Sequence, residues 1–305
     1  MADLIVVFVV GKGRSGSTLL DDLLGTMPRV VSVGELSRLW GRGRDGILTW
    51  LSFCACGRPV AECDVWGPVL SAAIGGTDRP HLAAVEELQE RALRWRRVPA
   101  LMLGARPAPD RRFGDVLGRV YRGLADATGA RIVVDSSKWP AHPGLLGMVP
   151  GVVPFLLHLV RDPRAVAHSY RRRQPRTAGL RRRDHGAVEA ALSWDARNAA
   201  VELFARTLPA SRRRRIRYED LAAAPREVIR ELGEWLGLPD GDRAFIDDTT
   251  VHLGTAHLVG GSRHRFERGD VAIRPDLTWQ QLARTNDHRI VSALTKPLRW
   301  RYGYG

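Results

Sequence analysis

Hydrophobic residues along the chain form short continuous runs that are separated by stretches with a helical period. The first run, Leu4 to Val10, is entirely apolar and rich in β-branched residues, which is typical of a strand buried on both faces. Similar runs predict strands at 30–33, 131–135, 155–160 and 215–218. Strands that alternate with helices predict an α/β fold, in which helices flank both faces of a parallel sheet.

The predicted helices lie between these runs. They follow the first strand directly and then cover 86–97, 113–127, 163–170 and 187–208, with another starting near 225. The stretch from about 40 to 80 is rich in Gly, Trp and Cys and has no clear period, so it is interpreted as irregular. Because no linker or internal repeat is visible, residues 1–305 are expected to form a single domain with an irregular insertion at about 40–110.

A glycine-rich loop follows the first strand directly. It reads Gly11-Lys12-Gly13-Arg14-Ser15-Gly16-Ser17-Thr18 and leads into an apolar-periodic segment. A loop of this kind presents backbone N–H groups and the positive end of a helix dipole to an anion. The spacing almost matches the nucleotide-binding P-loop, G-x-x-x-x-G-K-[ST], but Ser17 stands where that motif has its phosphate-binding lysine.

The formal net charge of +14 points to anionic partners. Most of this charge is arginine, since lysine occurs only at Lys12, Lys138 and Lys296, and the skew suggests a coding bias rather than a binding face. The arginine-rich run at 171–183 lacks interleaved aromatic residues and no nucleic-acid-binding signature is present, so no nucleic-acid partner is expected.

A cytoplasmic location without membrane insertion is expected. No segment approaches the roughly 18 consecutive apolar residues of a membrane helix. The N-terminal apolar run lacks a basic leader and continues into the glycine-rich loop, which argues against a signal peptide.

A second constellation follows the run at 155–160. Arg161 ends this strand, and Ser169 lies eight residues further on, so both reach one site if Ser169 sits two turns into the following helix. Arginine and hydroxyl groups together suit a phosphate, because such contacts are charge-assisted. The alternative is a structural salt bridge between Arg161 and Asp162.

With both motifs in place, the chain resembles the sulfotransferases that use 3′-phosphoadenosine 5′-phosphosulfate (PAPS), in particular their bacterial and tyrosylprotein branches. The resemblance extends from Leu4 to about Arg274. It implies the sulfotransferase fold and transfer of a sulfuryl group from PAPS to a hydroxyl of a small-molecule, carbohydrate or lipid acceptor, without a metal. It also implies that the insertion at about 40–110 shapes the acceptor pocket, while the acceptor itself stays open.

The resemblance implies three groups of cofactor-binding residues. The loop residues Gly13, Arg14, Ser15, Gly16, Ser17 and Thr18 would hold the 5′-phosphosulfate, and Arg161, Ser169 and Arg173 would hold the 3′-phosphate. Tyr218, in the sequence Arg217-Tyr218-Glu219-Asp220-Leu221, would lie near the adenine, and Ser262, Arg263 and Arg274 would belong to a loop that closes over the nucleotide.

Transfer to a hydroxyl also requires a base. In the phenol and steroid branch a histidine after the middle strand takes this role, but here Lys138 occupies that place, and lysine is normally protonated. The tyrosylprotein branch uses a glutamate in a Gly-Glu context, which Glu35 matches, with Arg38 three residues on as a substrate contact. The resemblance therefore implies Glu35 as general base, with Arg14 and Lys138 stabilising transition-state charge.

Alternatives remain at several of these positions. Glu35 could instead interact with the positive N-terminal end of a helix dipole. Lys138 could be a structural cation, and His142 is the next candidate base. A P-loop kinase for a small metabolite, with Asp135 as its magnesium ligand, and a basic nucleic-acid-binding protein are the other functions considered. The expected partner is a small-molecule hydroxyl acceptor, and a homodimer is possible.

The chain has three cysteines, Cys54, Cys56 and Cys63, which lie close together in the insertion. An odd number without a secretory signal argues against a disulfide framework. Ordinary or loosely paired thiols are the favoured interpretation. A local disulfide and a zinc site completed by Asp64 or His81 are the alternatives.

Overall fold

The computed structural model describes residues 3–40, 53–93, 108–139, 142–147, 149–172, 186–282 and 286–305. Within these ranges, five parallel strands form one sheet in the order β2-β3-β1-β4-β5. The strands are β1 (Leu4–Val10), β2 (Val30–Gly34), β3 (Ile132–Asp135), β4 (Val152–Val160) and β5 (Arg213–Arg217). The predicted parallel α/β sheet is confirmed.

Helices connect and cover these strands. They are α1 (Ser17–Gly25), α2 (Ser37–Trp40), α3 (Trp66–Ile74), α4 (Arg79–Ala92), α5 (Ala108–Thr128), α6 (His142–Leu146), α7 (Pro163–Arg172), α8 (Ala187–Ala205), α9 (Tyr218–Ala223), α10 (Pro225–Trp235), α11 (Asn286–Leu294) and α12 (Lys296–Arg301). A separate antiparallel hairpin pairs β6 (Thr250–Leu253) with β7 (Gly269–Ala272). None of the helices in the described ranges combines the length and the apolar character needed to span a bilayer.

Alternate residues of β1 belong to two different hydrophobic cores. Val6 and Phe8 pack with buried residues of α3, α4 and α5, whereas Val7 and Val9 pack with residues of α1, α10 and the β6–β7 hairpin. Because successive side chains of a strand point to opposite faces, this division shows that helices cover both faces of the sheet. Burial on both faces of the sheet explains why the run at 4–10 is continuously apolar.

Several element boundaries differ from the predicted ones. Strand β4 begins at Val152 rather than at 155, and Pro154 is tolerated because it lies where β4 pairs only with β1, before pairing with β5 starts at Leu156. Strand β5 ends at Arg217, so that Tyr218 begins a helix. Part of the stretch interpreted as irregular forms α3, which buries Trp66 against the core.

The strand order creates a crevice at the carboxyl ends of β1 and β4. The chain leaves β1 towards β2 on one side of the sheet, and it leaves β4 towards β5 on the other side. Ligands of open α/β sheets bind where the connections diverge in this way. The glycine-rich loop follows β1 and Arg161 follows β4, so both sequence motifs lie at this crevice.

A buried carboxyl group links α1 to the sheet. Asp21 is 2% exposed and accepts hydrogen bonds from Ser32 Oγ at 3.1 Å and from Ser136 Oγ at 2.5 Å. Burial is the main cause that raises the pKa of Asp21 to about 7. This cluster holds α1 against the middle of β2 and against the residue that follows β3.

We expect this carboxyl group to make stability depend on pH. Unfolded chains release the Asp21 proton near pH 3.9 and the native state near 7, so stability is lost as pH rises between about 4 and about 7. The loss is at most about 4 kcal/mol, since one pKa unit corresponds to about 1.4 kcal/mol. Asp21→Asn removes the titration, and urea unfolding of both proteins at about pH 4.5 and about pH 8 measures the difference.

The exposed-site variant Asp126→Asn, near the C-terminal end of α5, is the matched control and should follow the wild-type dependence. If the wild-type protein and Asp21→Asn change in parallel across this range, the buried carboxyl does not contribute as described.

Candidate active site

The loop between β1 and α1 depends on backbone conformations in the left-handed region. Gly11 has φ 144°, Arg14 has φ 72° and Gly16 has φ 90°. Gly16 is the N-cap of α1 and no side chain caps this end of the helix. The loop therefore directs the uncapped N–H groups of the first turn of α1 towards the crevice, where an anion would satisfy them.

Direct contacts join this loop to the segment that follows β4. Arg14 Nε donates a hydrogen bond to Ser169 Oγ at 3.0 Å, and Arg161 Nη1 donates to the carbonyl oxygen of Arg14 at 3.2 Å. Arg164 Nη2 donates a hydrogen bond to the Asp162 carboxylate at 2.5 Å, so this carboxylate pairs with a residue at the start of α7 and not with Arg161. The structure thus brings Arg161 and Ser169 to the same loop, as the eight-residue spacing predicts.

Tyr218 closes one side of this cluster. Its ring centroid lies 4.2 Å from Arg161 Cζ, a cation–π distance. A Cβ atom on Gly16 would lie only 2.3 Å from Cδ2 of the Tyr218 ring, and Gly16 also has a positive φ. A side chain at position 16 would therefore have to displace the ring as well as adopt a strained backbone.

The C-terminal segment that carries the remaining predicted cofactor residues also reaches this loop. The Ser262 backbone N–H donates to Thr18 Oγ1 at 3.1 Å, while Arg263 and Arg274 are exposed. Two residues after Arg274, Asp276 pairs with Arg161 at 3.4 Å. Arg173 lies outside the described residues.

Glu35 lies between two cations at the end of β2. Its carboxylate accepts a hydrogen bond from Lys138 Nζ and forms an ion pair with Arg38 Nε. The Glu35 and Lys138 side chains are 13% and 16% exposed, whereas that of Arg38 is 59% exposed. The Glu35 backbone N–H donates to the carbonyl oxygen of Val259 at 2.7 Å, which fixes the turn after the strand.

The backbone conformation and a backbone hydrogen bond fix the position of Lys138. It has φ 64°, and its carbonyl oxygen accepts a hydrogen bond from Arg197 Nη1 at 3.0 Å. A small cavity next to the glycine-rich loop is lined by Lys138 together with Lys12, Ser15 and Ser17. The structure thereby places the ammonium group of Lys138 between Glu35 and the loop.

Two residues considered from the sequence have structural roles instead. His142 is 1% exposed and packs against the rings of Phe8 and Phe113, and burial lowers its pKa to about 3. It is therefore a core histidine and not an alternative base. Asp135 accepts hydrogen bonds from Tyr121 Oη at 2.5 Å and from the Ser137 backbone N–H at 2.6 Å, so both of its oxygens are engaged below the surface.

The structure adds residues to those predicted to bind the donor or to act in catalysis. Tyr170 lies against the loop, since a Cβ on Gly13 would be 2.8 Å from its hydroxyl oxygen. Lys12 Nζ lies 5.1 Å from the centre of the Tyr170 ring and donates to Ser193 Oγ at 2.7 Å. Tyr170 could have been predicted to lie at the site, because it follows Ser169 directly. Arg197 and Asp276 could not, because each is a single residue among many charged ones and belongs to no motif.

Some buried polar atoms at the crevice have no partner among the described residues. They are Ser15 Oγ and Arg161 Nε, whose residues are 2% and 6% exposed. Buried donors are normally satisfied, and an anion at this position would satisfy both kinds of group. The site therefore suits a ligand that carries negative charge.

Comparisons with known proteins agree with this geometry. The Sulfotransferase family profile matches residues 7–242, whereas no curated protein sequence matches the chain. The sulfotransferase domain from the curacin biosynthetic pathway aligns with a TM-score of 0.50 and 17% identity, covering 97% of this chain and 98% of that chain. The sulfotransferase domain of the Synechococcus PCC 7002 olefin synthase aligns with a TM-score of 0.52 and 18% identity, covering 97% and 95%. These structures show a shared fold, and with a family match over most of its length the chain belongs to the sulfotransferase family.

Proposed function

We propose that this sulfotransferase transfers a sulfuryl group from PAPS to a hydroxyl of a small-molecule acceptor. The acceptor oxygen forms a new bond to sulfur, and the bond between sulfur and the phosphate oxygen of PAPS breaks. The hydroxyl proton passes to the Glu35 carboxylate, and the products are a sulfate ester and adenosine 3′,5′-bisphosphate. No metal takes part in this scheme.

The observation that carries the proposal is the contact between the two anion-binding segments. The Arg14–Ser169 and Arg161–Arg14 hydrogen bonds, at 3.0 and 3.2 Å, join the loop after β1 to the segment after β4. PAPS carries anionic groups at its 5′ and 3′ positions, so it requires two anion-binding segments side by side. A donor with a single anionic group would use only one of them.

The residues around the crevice fit the donor. Ser15 and the N–H groups at the start of α1 would bind the 5′-phosphosulfate, with Gly13, Ser17 and Thr18 completing the loop. Arg161 and Ser169, and by sequence position Arg173, would bind the 3′-phosphate. Tyr218 would contact the adenine, because its ring already forms a wall between Gly16 and Arg161.

The segment after β6 would close the nucleotide site. Ser262 is bound to Thr18 through its backbone, which places it beside the loop. Arg263 is an exposed cation of this segment, and the exposed Arg274 follows β7. These three residues are proposed as donor contacts on the basis of that position.

Glu35 is the proposed base, and Lys138 and Arg14 are the proposed electrostatic contributors. Lys138 donates to Glu35 and also lines the cavity next to the loop, so it can interact with the base and with the sulfuryl oxygens. Arg14 lies in the loop itself. Cations placed before the reaction stabilise the charge that develops on the sulfuryl and bridging oxygens at little reorganisation cost.

The acceptor would approach from the side of Arg38. The side chain of Arg38 is 59% exposed and borders Glu35, which suits a contact with substrate. The insertion at about 40–110, described at 53–93, would form part of this acceptor pocket. A small-molecule acceptor is supported by the two similar domains, whose names place them in curacin biosynthesis and in an olefin synthase.

The experiment that tests the function is an acceptor screen with PAPS as donor. Release of adenosine 3′,5′-bisphosphate is followed over panels of phenols, alcohols, sugars and lipids, without added metal. A kinase would instead require ATP and Mg²⁺, and Asp135, its magnesium candidate, is buried with both oxygens engaged. Bisphosphate release with at least one acceptor class is expected, and turnover only with ATP and Mg²⁺ would overturn the proposal.

Arg161→Ala should weaken binding of adenosine 3′,5′-bisphosphate by about 1.5–3 kcal/mol, because a charge-assisted hydrogen bond to the 3′-phosphate is lost. Titration calorimetry without Mg²⁺ measures the change. Arg206→Ala is the control: it removes the same charge at the end of α8, next to Arg213 at the opposite edge of the sheet. A change below about 0.5 kcal/mol for Arg161→Ala would remove this residue from the site.

Glu35→Gln should lower turnover at least tenfold while leaving bisphosphate affinity nearly intact, because the amide keeps the shape of the side chain but accepts no proton. Steady-state kinetics with the best acceptor and calorimetry on the same protein separate the two effects. The exposed Glu267→Gln is the matched control. If the turnover of Glu35→Gln equals that of the wild-type protein, the base lies elsewhere.

A further inference from the structure

The cysteines of the insertion meet a histidine that is distant in sequence. Cys56 Sγ lies 3.8 Å from Cys63 Sγ, and His257 Nδ1 lies 3.3 Å from Cys63 Sγ and 3.6 Å from Cys54 Sγ. All four ligand atoms lie within 4.8 Å of one another. Cys63 and His257 are 194 positions apart, so only the fold could bring these side chains together.

These distances match a tetrahedral zinc site. Zinc binds cysteine sulfur at about 2.3 Å and histidine nitrogen at about 2.0–2.1 Å, which places neighbouring sulfurs about 3.8 Å apart and sulfur and nitrogen about 3.6 Å apart. A disulfide would require sulfurs about 2.05 Å apart, and all three cysteines are free thiols. Three cysteines also cannot all be paired within one chain.

The fourth ligands considered from the sequence are engaged elsewhere. Asp64 pairs with Arg58 at 2.6 Å, and His81 pairs with Asp78 at 2.8 Å, both on the surface. His257, in contrast, has its ring nitrogen directed at the thiols. The three cysteines therefore have a fourth zinc ligand available, but it is His257 rather than Asp64 or His81.

The backbone around the cysteines has the form of a tight turn that presents ligands. The Cys54 N–H donates to the Arg58 carbonyl at 2.8 Å, the Gly57 N–H donates to the Cys54 carbonyl at 2.9 Å, and Gly57 has φ 92°. Trp66 Nε1 donates to the carbonyl oxygen of His257 at 2.7 Å, which fixes the backbone of the fourth ligand. Such supporting contacts orient the residues that bind a metal.

The charge of the surroundings also suits this site. Three thiolates, one neutral imidazole and Zn²⁺ carry a net charge of −1. Arg265 Nη2 donates to the carbonyl oxygen of Phe53 at 3.2 Å, and Arg268 Nη2 donates to that of Ala55 at 2.5 Å. Two guanidinium groups therefore lie on the cysteine turn and would offset this charge.

We propose that Cys54, Cys56, Cys63 and His257 Nδ1 bind one structural Zn²⁺ ion. With four protein ligands the site is closed, so the metal has no open position for catalysis. Binding releases the three thiol protons to solvent and involves no change of oxidation state. The proposal is independent of the sulfuryl-transfer scheme.

This zinc site would fix a segment that borders the candidate active site. Two residues after His257, the Val259 N–H donates to Val33 at 2.9 Å and its carbonyl oxygen accepts from Glu35 at 2.7 Å. Further on, Ser262 binds Thr18. The metal would thus anchor the cysteine turn to the strip that holds the end of β2 and the start of α1.

Metal analysis of the full chain, purified with a reducing agent and without chelator, tests the proposal directly. About one zinc per chain is expected, and replacement by Co²⁺ should produce thiolate-to-cobalt charge-transfer absorption and the visible bands of tetrahedral cobalt. A protein with free thiols that neither contains zinc nor binds added Zn²⁺ or Co²⁺ would overturn the proposal. A disulfide found by mass spectrometry in place of bound metal would overturn it as well.

Variants identify the ligands. Cys63→Ser and His257→Ala should each weaken Zn²⁺ binding by at least about 100-fold in competition with a chromophoric chelator. His81→Ala and Asp64→Asn, the ligands considered from the sequence, are the matched controls and should retain zinc. If a ligand variant does not fold, the zinc stoichiometry and the cobalt spectrum of the wild-type protein test the proposal instead. Loss of zinc from the control variants, with zinc retained in the ligand variants, would contradict the assignment of the ligands.

Hydrogen exchange provides a readout that does not depend on activity. Chelation should increase exchange of the amides of Val259 and Ser262, because these groups lie on the segment that His257 anchors. The amides of β1 are the internal control. Unchanged exchange at 257–262 after complete zinc removal would show that the metal does not fix this strip.

Discussion

Parallel pairing of β1 with β4 is the constraint on which the candidate active site depends. The register runs from Leu4 opposite Val152 to Val10 opposite His158, so both strands end at the same edge of the sheet. The glycine-rich loop and the segment around Arg161 therefore leave the sheet side by side. The Arg161 side chain is then long enough to reach the backbone of the neighbouring loop. A shift of register would separate the two segments that are proposed to bind the donor.

Close approach of backbone and side chains shapes the same site. The Tyr218 ring occupies the space where a side chain at position 16 would lie, and the hydroxyl of Tyr170 approaches Gly13 in a similar way. Arg161 is 6% exposed, and its partner Asp276 is 3.4 Å away. Asp276 compensates part of this buried charge, but Arg161 Nε has no partner among the described residues, so the environment suits a bound anion such as a phosphate of the proposed donor.

The insertion and the crevice meet along the segment at 257–262. One end of this segment carries His257 beside the cysteines, and the other carries Ser262 beside Thr18. Between them, Val259 bonds to both Val33 and Glu35. A metal at the cysteine turn would therefore act on the position of the proposed base through the segment at 257–262, which is distant from Glu35 in sequence. The two proposed sites would stay chemically separate, because a metal with four protein ligands has no open position for a substrate.

Features that depend only on neighbouring residues could be predicted from the sequence alone. Continuous apolar runs define the strands, because burial on both faces leaves no polar position, and helical spacing brings Ser169 to the side of Arg161. Contacts between groups that are distant in the chain became visible only in the folded structure. It paired His257 with the cysteines, buried His142 in the core and formed α3 in a stretch without a clear period. These outcomes depend on packing between segments far apart in the chain, and local patterns carry no information about such partners.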